Sequence, residues 1–349
     1  MRFLYGLLIF FPVALILEIG NVGGHAAVFV TSAVAMIPLA AILGRATEEA
    51  AIFTGPKIGA LLNATLGNAA ELIITIIALR EGLVNVVKAS IAGSIIGNIL
   101  VVLGISAVVG GVKNGTQFFD ARTAGVNATM MALAVVALSL PAVFALGGEN
   151  GGPSTHDIEL LSDWMAVVLI VLYALYLLFS LRSQESSAEE ADHGQGTMRL
   201  PIAVGLLAAS TIGIVVMSEV LVGSIEPTAE DWGLTELFIG VMLVPLVGNI
   251  AEHLVAVQMA YRNKMDLSLG IAVGSGLQIA VFVTPVLVLV GELLNQPMTL
   301  VFNSYELMAL IGASLIAVLI SVDGESNWLE GAELVALYAM IGLAFFFVP

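Results

Sequence analysis

Runs of about 20 apolar residues follow one another along almost the whole chain, and they constrain the fold more than any other feature. A helix of about that length crosses a bilayer core while satisfying its own backbone hydrogen bonds. Hydrophobic residues make up 59% of the 349 residues and charged residues only 11%. This composition disfavours soluble domains. The sequence therefore predicts an all-α, multi-pass membrane protein.

We predict about eleven transmembrane helices, arranged as one N-terminal helix and two inverted five-helix repeats. The first run has a basic start, like a signal peptide, but no small-residue cleavage pattern follows it, so we expect a retained helix. The predicted spans are 3–19, 26–43, 57–79, 86–109, 123–146, 162–181, 200–222, 234–261, 267–293, 303–321 and 328–348.

A polar, acidic segment, RSQESSAEEADHGQGTM, separates two hydrophobic halves. The net charge of −16 lies mostly in the predicted loops, which is typical of a solvated acidic surface and argues against a nucleic-acid partner. Having no cysteine, the chain can form neither disulfides nor thiolate metal sites. The predicted divisions are an N-terminal helix (1–25), a first transmembrane repeat (26–181), an acidic cytoplasmic linker (182–199) and a second transmembrane repeat (200–349).

Lysine and arginine residues set the predicted orientation, because positively charged loops stay on the cytoplasmic side of a membrane. A cytoplasmic N-terminus and an outside C-terminus leave only Arg80 and Lys88 outside. We expect an integral protein of a prokaryotic plasma membrane in this orientation. The basic residues predicted inside are Arg2, Arg45, Lys57, Lys113, Arg122, Arg182, Arg199, Arg262 and Lys264.

Two short phrases recur 181 residues apart, GNAAE ending at Glu71 and GNIAE ending at Glu252. The predicted topology runs the two spans that carry them in opposite directions, which is typical of transporters built from inverted repeats around a midplane site. A carboxylate inside a membrane span is costly and usually lines an ion or proton path. We therefore predict that the two glutamates share one site and bind both the metal ion and protons.

Amide and hydroxyl side chains lie close to these glutamates in the predicted helices. Hydrogen bonding between helices explains such side chains as well as ligation of a metal does, and both interpretations stay open. Asn68 and Asn249 lie three residues before the glutamates, on the same helix faces. The spans that follow carry a second polar row, made of Ser94 and Asn98 in the first half and Ser275 and Gln278 in the second.

Glycines fall into two groups. Gly67 and Gly248 directly precede the acidic motifs, where a local break would turn backbone carbonyls towards the site; close packing is an equal alternative. The remaining four have the spacing of helices in close contact, so packing is their better explanation. They are Gly93, Gly97, Gly270 and Gly274.

Five further titratable residues are secondary candidates. His253 could tune the proton affinity of the neighbouring glutamate, although a hydrogen bond to another helix is the simpler interpretation. Glu48 and Glu49 precede the third predicted span and could attract cations on the cytoplasmic side, and Glu219 and Glu226 could do so outside. Solvated or interfacial carboxylates are the alternatives.

Oxygen-only donors select hard cations, and calcium accepts six to eight such ligands with tolerant geometry. Two ionised carboxylates neutralise one divalent ion, and they carry protons when that ion leaves. This competition is what an antiporter needs. We therefore predict Ca²⁺ and H⁺ as transported partners in a lipid bilayer, without a cofactor and without enzymatic activity.

The segment from Ile37 to Ile73 and the segment from Ser218 to Val255 resemble the two repeats of the calcium/proton exchanger family, a branch of the calcium/cation antiporter superfamily. The resemblance covers nearly the whole chain. It implies that Glu71 and Glu252 are the ion and proton carboxylates, with Asn68, Asn249, Ser275 and Gln278 nearby. It also implies that residues 185–192 correspond to the family's acidic segment between halves.

Sodium/calcium exchangers are similar in architecture but usually carry a Gly-Thr-Ser-x-Pro-Glu type of repeat, which makes sodium coupling less favoured here. We predict export of cytoplasmic Ca²⁺ in exchange for H⁺ by alternating access. The alternatives are a Na⁺ or K⁺/H⁺ antiporter of the same superfamily and a cation channel with a two-glutamate selectivity site. A homo-oligomer is left open. The sequence lacks the Gly-x-Ser-x-Gly and His-Glu-x-x-His motifs of hydrolases.

Overall fold

The computed structural model describes residues 2–147, 152–185 and 198–348. Within these ranges the chain is almost entirely α-helical, with one two-residue antiparallel pair between β1 (Gln117–Phe118) and β2 (Glu325–Ser326). The predicted all-α class is confirmed. The helices are α1 (Leu4–Gly20), α2 (Gly24–Thr54), α3 (Pro56–Leu66), α4 (Ala69–Arg80), α5 (Val84–Asn114), α6 (Ala121–Leu146), α7 (Thr155–Glu185), α8 (Leu200–Gly223), α9 (Ile225–Trp232), α10 (Glu236–Gly248), α11 (Ile250–Tyr261), α12 (Met265–Leu293), α13 (Ser304–Ile320) and α14 (Trp328–Phe347).

Seven of the helices in the described ranges are long and apolar enough to cross a membrane. The number rises to eight if α9 and α10, which meet at an angle of 115°, are counted as one broken span. Two shorter apolar helices, α1 and α13, accompany them. The predicted number of eleven spans therefore stays a prediction. Most of the predicted linker, residues 186–197, lies outside the described residues.

Helix α2 is longer than its apolar run. We predicted its end near residue 43, but it continues to Thr54. Gly55 follows the helix, and its φ of 83° does not fit a helix. The added turns are rich in alanine and glutamate, which favour helix even where they are polar. Glu48 and Glu49 are therefore part of a helix rather than of a loop, and their place on the cytoplasmic side before the third span stays a prediction.

Helices α5 and α12 form the buried centre, whereas α7, α8 and α14 are largely exposed on the outside of the bundle. Glycines let the central helices approach their neighbours closely. A Cβ atom added to Gly331 on α14 would lie 2.5 Å from the carbonyl oxygen of Gly104 on α5. Each central helix also contains a π-helical turn, Gly97–Val102 in α5 and Ile279–Val283 in α12. The first turn contains Asn98 of the predicted site, and the second directly follows Gln278.

Contacts between the two halves of the chain define the two ends of the bundle. At one end, called the linker end below, Gln117 donates a hydrogen bond to the Asn263 side chain, and β1 pairs with β2. At the opposite end, called the Arg80 end, Arg80 forms an ion pair with Glu219. Each of these ends therefore contains residues from both halves of the chain.

Candidate functional site

The two acidic motifs lie at breaks in helices. Helix α3 ends just before Gly67, and α4 begins after Asn68; likewise α10 ends at Gly248, and α11 begins after Asn249. The two asparagines have nearly the same non-helical backbone, with φ and ψ of −97° and 18° for Asn68 and of −95° and 3° for Asn249. Each following helix therefore carries its glutamate in the first turn, where the positive end of the helix dipole favours a carboxylate.

The two glutamates cross over to the opposite break. A Cβ atom added to Gly248 would lie 3.2 Å from Oε1 of Glu71, and one added to Gly67 would lie 3.8 Å from Oε1 of Glu252. Each carboxylate therefore reaches the glycine that precedes the other carboxylate in the repeated phrase. Glu71 is buried, whereas Glu252 is half-buried. A Cβ atom at Gly248 would crowd the Glu71 carboxylate, which would have to shift by a few tenths of an ångström.

Polar side chains from α5 and α12 complete the same volume. The Asn249 amide donates to the Ser94 hydroxyl at 3.1 Å, and the Asn98 amide donates to the Ser275 hydroxyl at 3.3 Å. The Ser275 hydroxyl also lies near the Glu252 carboxylate.

On the other side of the site, the Asn68 amide donates to Oε1 of Gln278 at 2.5 Å. Each asparagine of a break therefore binds a side chain on the central helix of the other half.

Two oxygen atoms of this cluster are buried without a hydrogen-bond partner in the described part of the chain, Oε2 of Glu252 and Oδ1 of Asn98. Buried polar atoms are nearly always hydrogen-bonded, so such atoms call for an explanation. Within the described ranges there is no group of three or more His, Cys, Asp and Glu side chains that could hold a metal. A cation bound here would therefore be held by two carboxylates together with amide and hydroxyl oxygens, a donor set that suits calcium.

All ten residues predicted to form the cation site lie together around the two breaks, while their role as ligands stays a prediction. Of the packing glycines, Gly93 is in close contact with another helix, but a Cβ atom added to Gly97, Gly270 or Gly274 would meet nothing within 4 Å. The expectation of close packing is wrong for these three. The ten site residues are Gly67, Asn68, Glu71, Ser94, Asn98, Gly248, Asn249, Glu252, Ser275 and Gln278.

The hydrogen bond expected from the His253 side chain to a neighbouring helix is absent from the described ranges, and that side chain is half-buried. Glu49 is buried and accepts a hydrogen bond from the backbone amide of Met198, at the end of the linker, whereas Glu48 beside it is exposed. Glu219 forms an ion pair with Arg80.

Glu226 lines two cavities at the Arg80 end, of about 460 and 540 Å³, and neither includes a residue of the site. The ability of these carboxylates to attract cations stays a prediction.

Two features were not predicted from the sequence. One is the partner of Arg80, because nothing local links it to Glu219, 139 positions away. The other is a further match between the halves, Ile58-Gly59 with Ile239-Gly240, which has the same 181-residue offset as the acidic motifs. That offset was the signal that could have found it.

Comparison with known proteins agrees with the resemblance seen in the sequence. The family model described as sodium/calcium exchanger protein matches residues 24–182 and 202–347. A Ca²⁺/H⁺ antiporter of Aphanothece halophytica is 47% identical over 99% of this chain and 96% of its own length. The Ca²⁺/H⁺ antiporter ChaA of Bacillus subtilis is 42% identical over 92% of each chain. The solved structure of native YfkE superposes with a TM-score of 0.87 at 40% identity, over 99% of this chain and 100% of that chain.

Proposed function

This chain belongs to the sodium/calcium exchanger protein family, and from that premise we propose that it exports cytoplasmic Ca²⁺ in exchange for H⁺ by alternating access. Relatives that are 42 to 47% identical over nearly the whole chain are named Ca²⁺/H⁺ antiporters, which supports this pair of ions. Sodium or potassium in place of calcium is the alternative within the same superfamily.

The reciprocal placement of Glu71 and Glu252 carries the mechanistic part of the proposal. Two carboxylates from opposite halves lie in one buried polar cluster, close enough to repel each other when both are ionised. A doubly ionised buried pair without a counter-charge is unfavourable, because burial and like charge both penalise it. The pair is therefore occupied either by a divalent cation or by protons.

Neutralisation of the pair couples the two ions. The protein can enclose the site when Ca²⁺ or protons balance the glutamates, but enclosing the bare dianion costs too much. Each ion then drives the movement of the other, since an empty, charged site cannot change sides. The amide and hydroxyl oxygens of Asn98 and Ser275 add ligands for the metal without adding charge.

Calcium uptake by vesicles containing the reconstituted protein, across an imposed pH step, tests the proposal. The wild-type chain should accumulate Ca²⁺ against its gradient, and Glu71→Gln and Glu252→Gln should each abolish this uptake. A glutamine keeps the size of the side chain but can neither release a proton nor supply a charge to the metal. Full exchange in both variants would refute the assignment.

The same vesicles distinguish the alternatives. A channel would pass Ca²⁺ down its gradient with an electrical current and without obligatory proton movement, whereas an exchanger moves Ca²⁺ uphill when a pH difference is applied. Addition of Na⁺ or K⁺ as competitor reports cation selectivity. Glu333→Gln is a matched control, because Glu333 is exposed on α14 outside the site and its loss should leave coupling intact.

A further inference from the structure

Three basic side chains lie together at the linker end and are not neutralised by carboxylates. Lys113 belongs to the last turn of α5, and Arg262 and Lys264 lie in the turn between α11 and α12. Nζ of Lys113 donates a hydrogen bond to the carbonyl oxygen of Tyr261 at 3.1 Å, which places it beside the peptide that joins Tyr261 to Arg262. All three basic residues are exposed, and none forms an ion pair within residues 2–147, 152–185 and 198–348. These three residues are called the basic corner below.

A basic corner without paired acids is unexpected in this chain, which has 27 acidic and only 11 basic residues. The two aspartates nearest to these cations along the chain, Asp120 and Asp266, are bound to backbone amides instead. Asp266 accepts from the amide of Asp120 at 2.6 Å, and Asp120 accepts from the amides of Arg122 and Thr123. The positive charge of the basic corner is therefore presented to the surroundings of the protein.

The equivalent turn of the first half is charged differently. At the 181-residue offset, Glu81 stands in place of Arg262, and Leu83 stands in place of Lys264. The basic residue of that turn, Arg80, is paired with carboxylates of the protein itself, at 3.0 Å from Glu81 and at 3.3 Å from Glu219. At the Arg80 end the chain thus neutralises its own cation, whereas at the linker end three cations are left for a partner outside the chain.

Exposed aromatic side chains border the basic corner. Lys113 lies 3.4 Å above the ring of Tyr261, which is 49% exposed. Trp328 is 53% exposed at the start of α14, and a Cβ atom added to Gly111, two residues before Lys113, would lie 2.5 Å from its backbone nitrogen. Strand β1 contacts the turn after α11 and leaves Phe118 67% exposed. Tyrosine and tryptophan beside basic residues at the ends of membrane helices are typical of the headgroup level of a bilayer.

We propose that the basic corner binds the headgroup of an anionic phospholipid, with its acyl chains along Tyr261 and Trp328. The guanidinium of Arg262 offers paired donors to a phosphate, and the two ammonium groups add positive charge. An anionic headgroup is favoured over a zwitterionic one, because the latter brings a cation that the corner repels. The exposed rings favour a lipid over free phosphate, since phosphate has no apolar part to place on them. This inference goes beyond ion exchange and does not depend on it.

Binding of dioleoylphosphatidylglycerol to the purified protein in detergent, measured by native mass spectrometry, tests the site. Dioleoylphosphatidylcholine is the zwitterionic comparison and should bind more weakly. Arg262→Gln/Lys264→Gln should bind phosphatidylglycerol about 30-fold more weakly than the wild type, equivalent to about 2 kcal/mol, because each basic residue near anionic lipid contributes about 1 kcal/mol. Arg262→Lys/Lys264→Arg keeps the charge and should keep the binding.

Arg45→Gln/Arg199→Gln is the matched control. It removes the same charge from α2 and from the residue before α8, neither of which belongs to the basic corner. This variant should bind phosphatidylglycerol as the wild type does. An equal loss of binding in the control would show that net charge alone attracts the lipid, which would overturn the assignment of a site.

Two further results would contradict the proposal. One is equal binding of the two lipids by the wild-type protein, and the other is undiminished binding of phosphatidylglycerol by Arg262→Gln/Lys264→Gln. Inorganic phosphate distinguishes the source of the anion: if it displaces phosphatidylglycerol at equal concentration, the corner binds free anions and the assignment to a lipid is wrong. None of these measurements involves transport of Ca²⁺ or H⁺, so their outcome is independent of the proposed function.

Discussion

Replacing Gly93 on α5 with alanine would perturb the close contact between α5 and α10. The added Cβ would lie 2.0 Å from the Val241 carbonyl oxygen and 2.7 Å from Cγ of Pro245. The shorter distance falls about 1.4 Å below the 3.4 Å at which ordinary contact begins. Neither the carbonyl nor the proline ring can rotate away, so α5 and α10 must separate.

The separation has a cost that can be estimated. Overpacking of a well-packed interior typically costs about 1–3 kcal/mol. If the opposite state does not contain this contact, the whole cost shifts the equilibrium between the two states, and about 1–3 kcal/mol corresponds to about 5- to 150-fold. The variant should therefore populate the opposite state much more than the wild-type chain does.

Labelling of single cysteines with a water-soluble maleimide measures this shift. Ile239 is buried between α5 and α10, so Ile239→Cys should react slowly in the wild-type background. Ile58 is exposed, so Ile58→Cys should react fast. Adding Gly93→Ala should accelerate labelling at position 239 by about the estimated 5- to 150-fold and slow it at position 58. Gly312→Ala, combined with the same reporters, should change neither rate. Unchanged labelling at both positions in the Gly93→Ala background would refute the reasoning.

Three further predictions concern the ends of the bundle. Gln117→Leu removes two hydrogen bonds of 2.9 Å each, one buried and one partly buried, so the free energy of unfolding should fall by about 1–3 kcal/mol. An unchanged denaturation midpoint would contradict this. Hydrogen bonds from Thr123 hold the pKa of Asp120 below its usual 3.8, so its stabilising effect is present above that value and is lost as the pH falls through the lowered pKa. The unfolding temperature of Asp120→Asn should therefore lie below that of the wild type at neutral pH and converge with it in acid. Arg80→Gln removes the cation paired with Glu219, so initial Ca²⁺ uptake from the Arg80 end should rise at low salt and approach the wild-type rate at high salt; equal rates at low salt would count against it.

Most of the helices could be predicted from the sequence, because an apolar run of the required length is a local property. The residues at which the helices end were harder to predict. Helix α2 extends eleven residues past its predicted end at 43, since helix propensity continues where hydropathy stops. The break at Asn249 falls inside one predicted span, 234–261, because each side of the break is as apolar as an unbroken helix. The short helix α9 was missed because its polar sequence, IEPTAEDW, does not resemble a span.

The clustering of the candidate site residues could also be predicted, and for a physical reason. Carboxylates and amides are costly within apolar spans, so they stand out, and their repetition at one offset marks them as a set. Their partners could not be predicted. The bonds from Asn68 to Gln278 and from Asn249 to Ser94 join residues that are 210 and 155 positions apart. Only the packing of two halves brings them together.

The sequence by itself determined that the chain crosses membranes repeatedly, that it consists of two related halves, and that each half contributes one acidic motif, since hydropathy and repetition can be read along a single chain. The tertiary structure decided that each glutamate reaches the other half's glycine. It also decided that Ile58 is exposed and Ile239 buried, although they occupy equivalent places in the sequence. Two nearly equivalent segments cannot encode such a difference, because it depends on which helices pack against each of them.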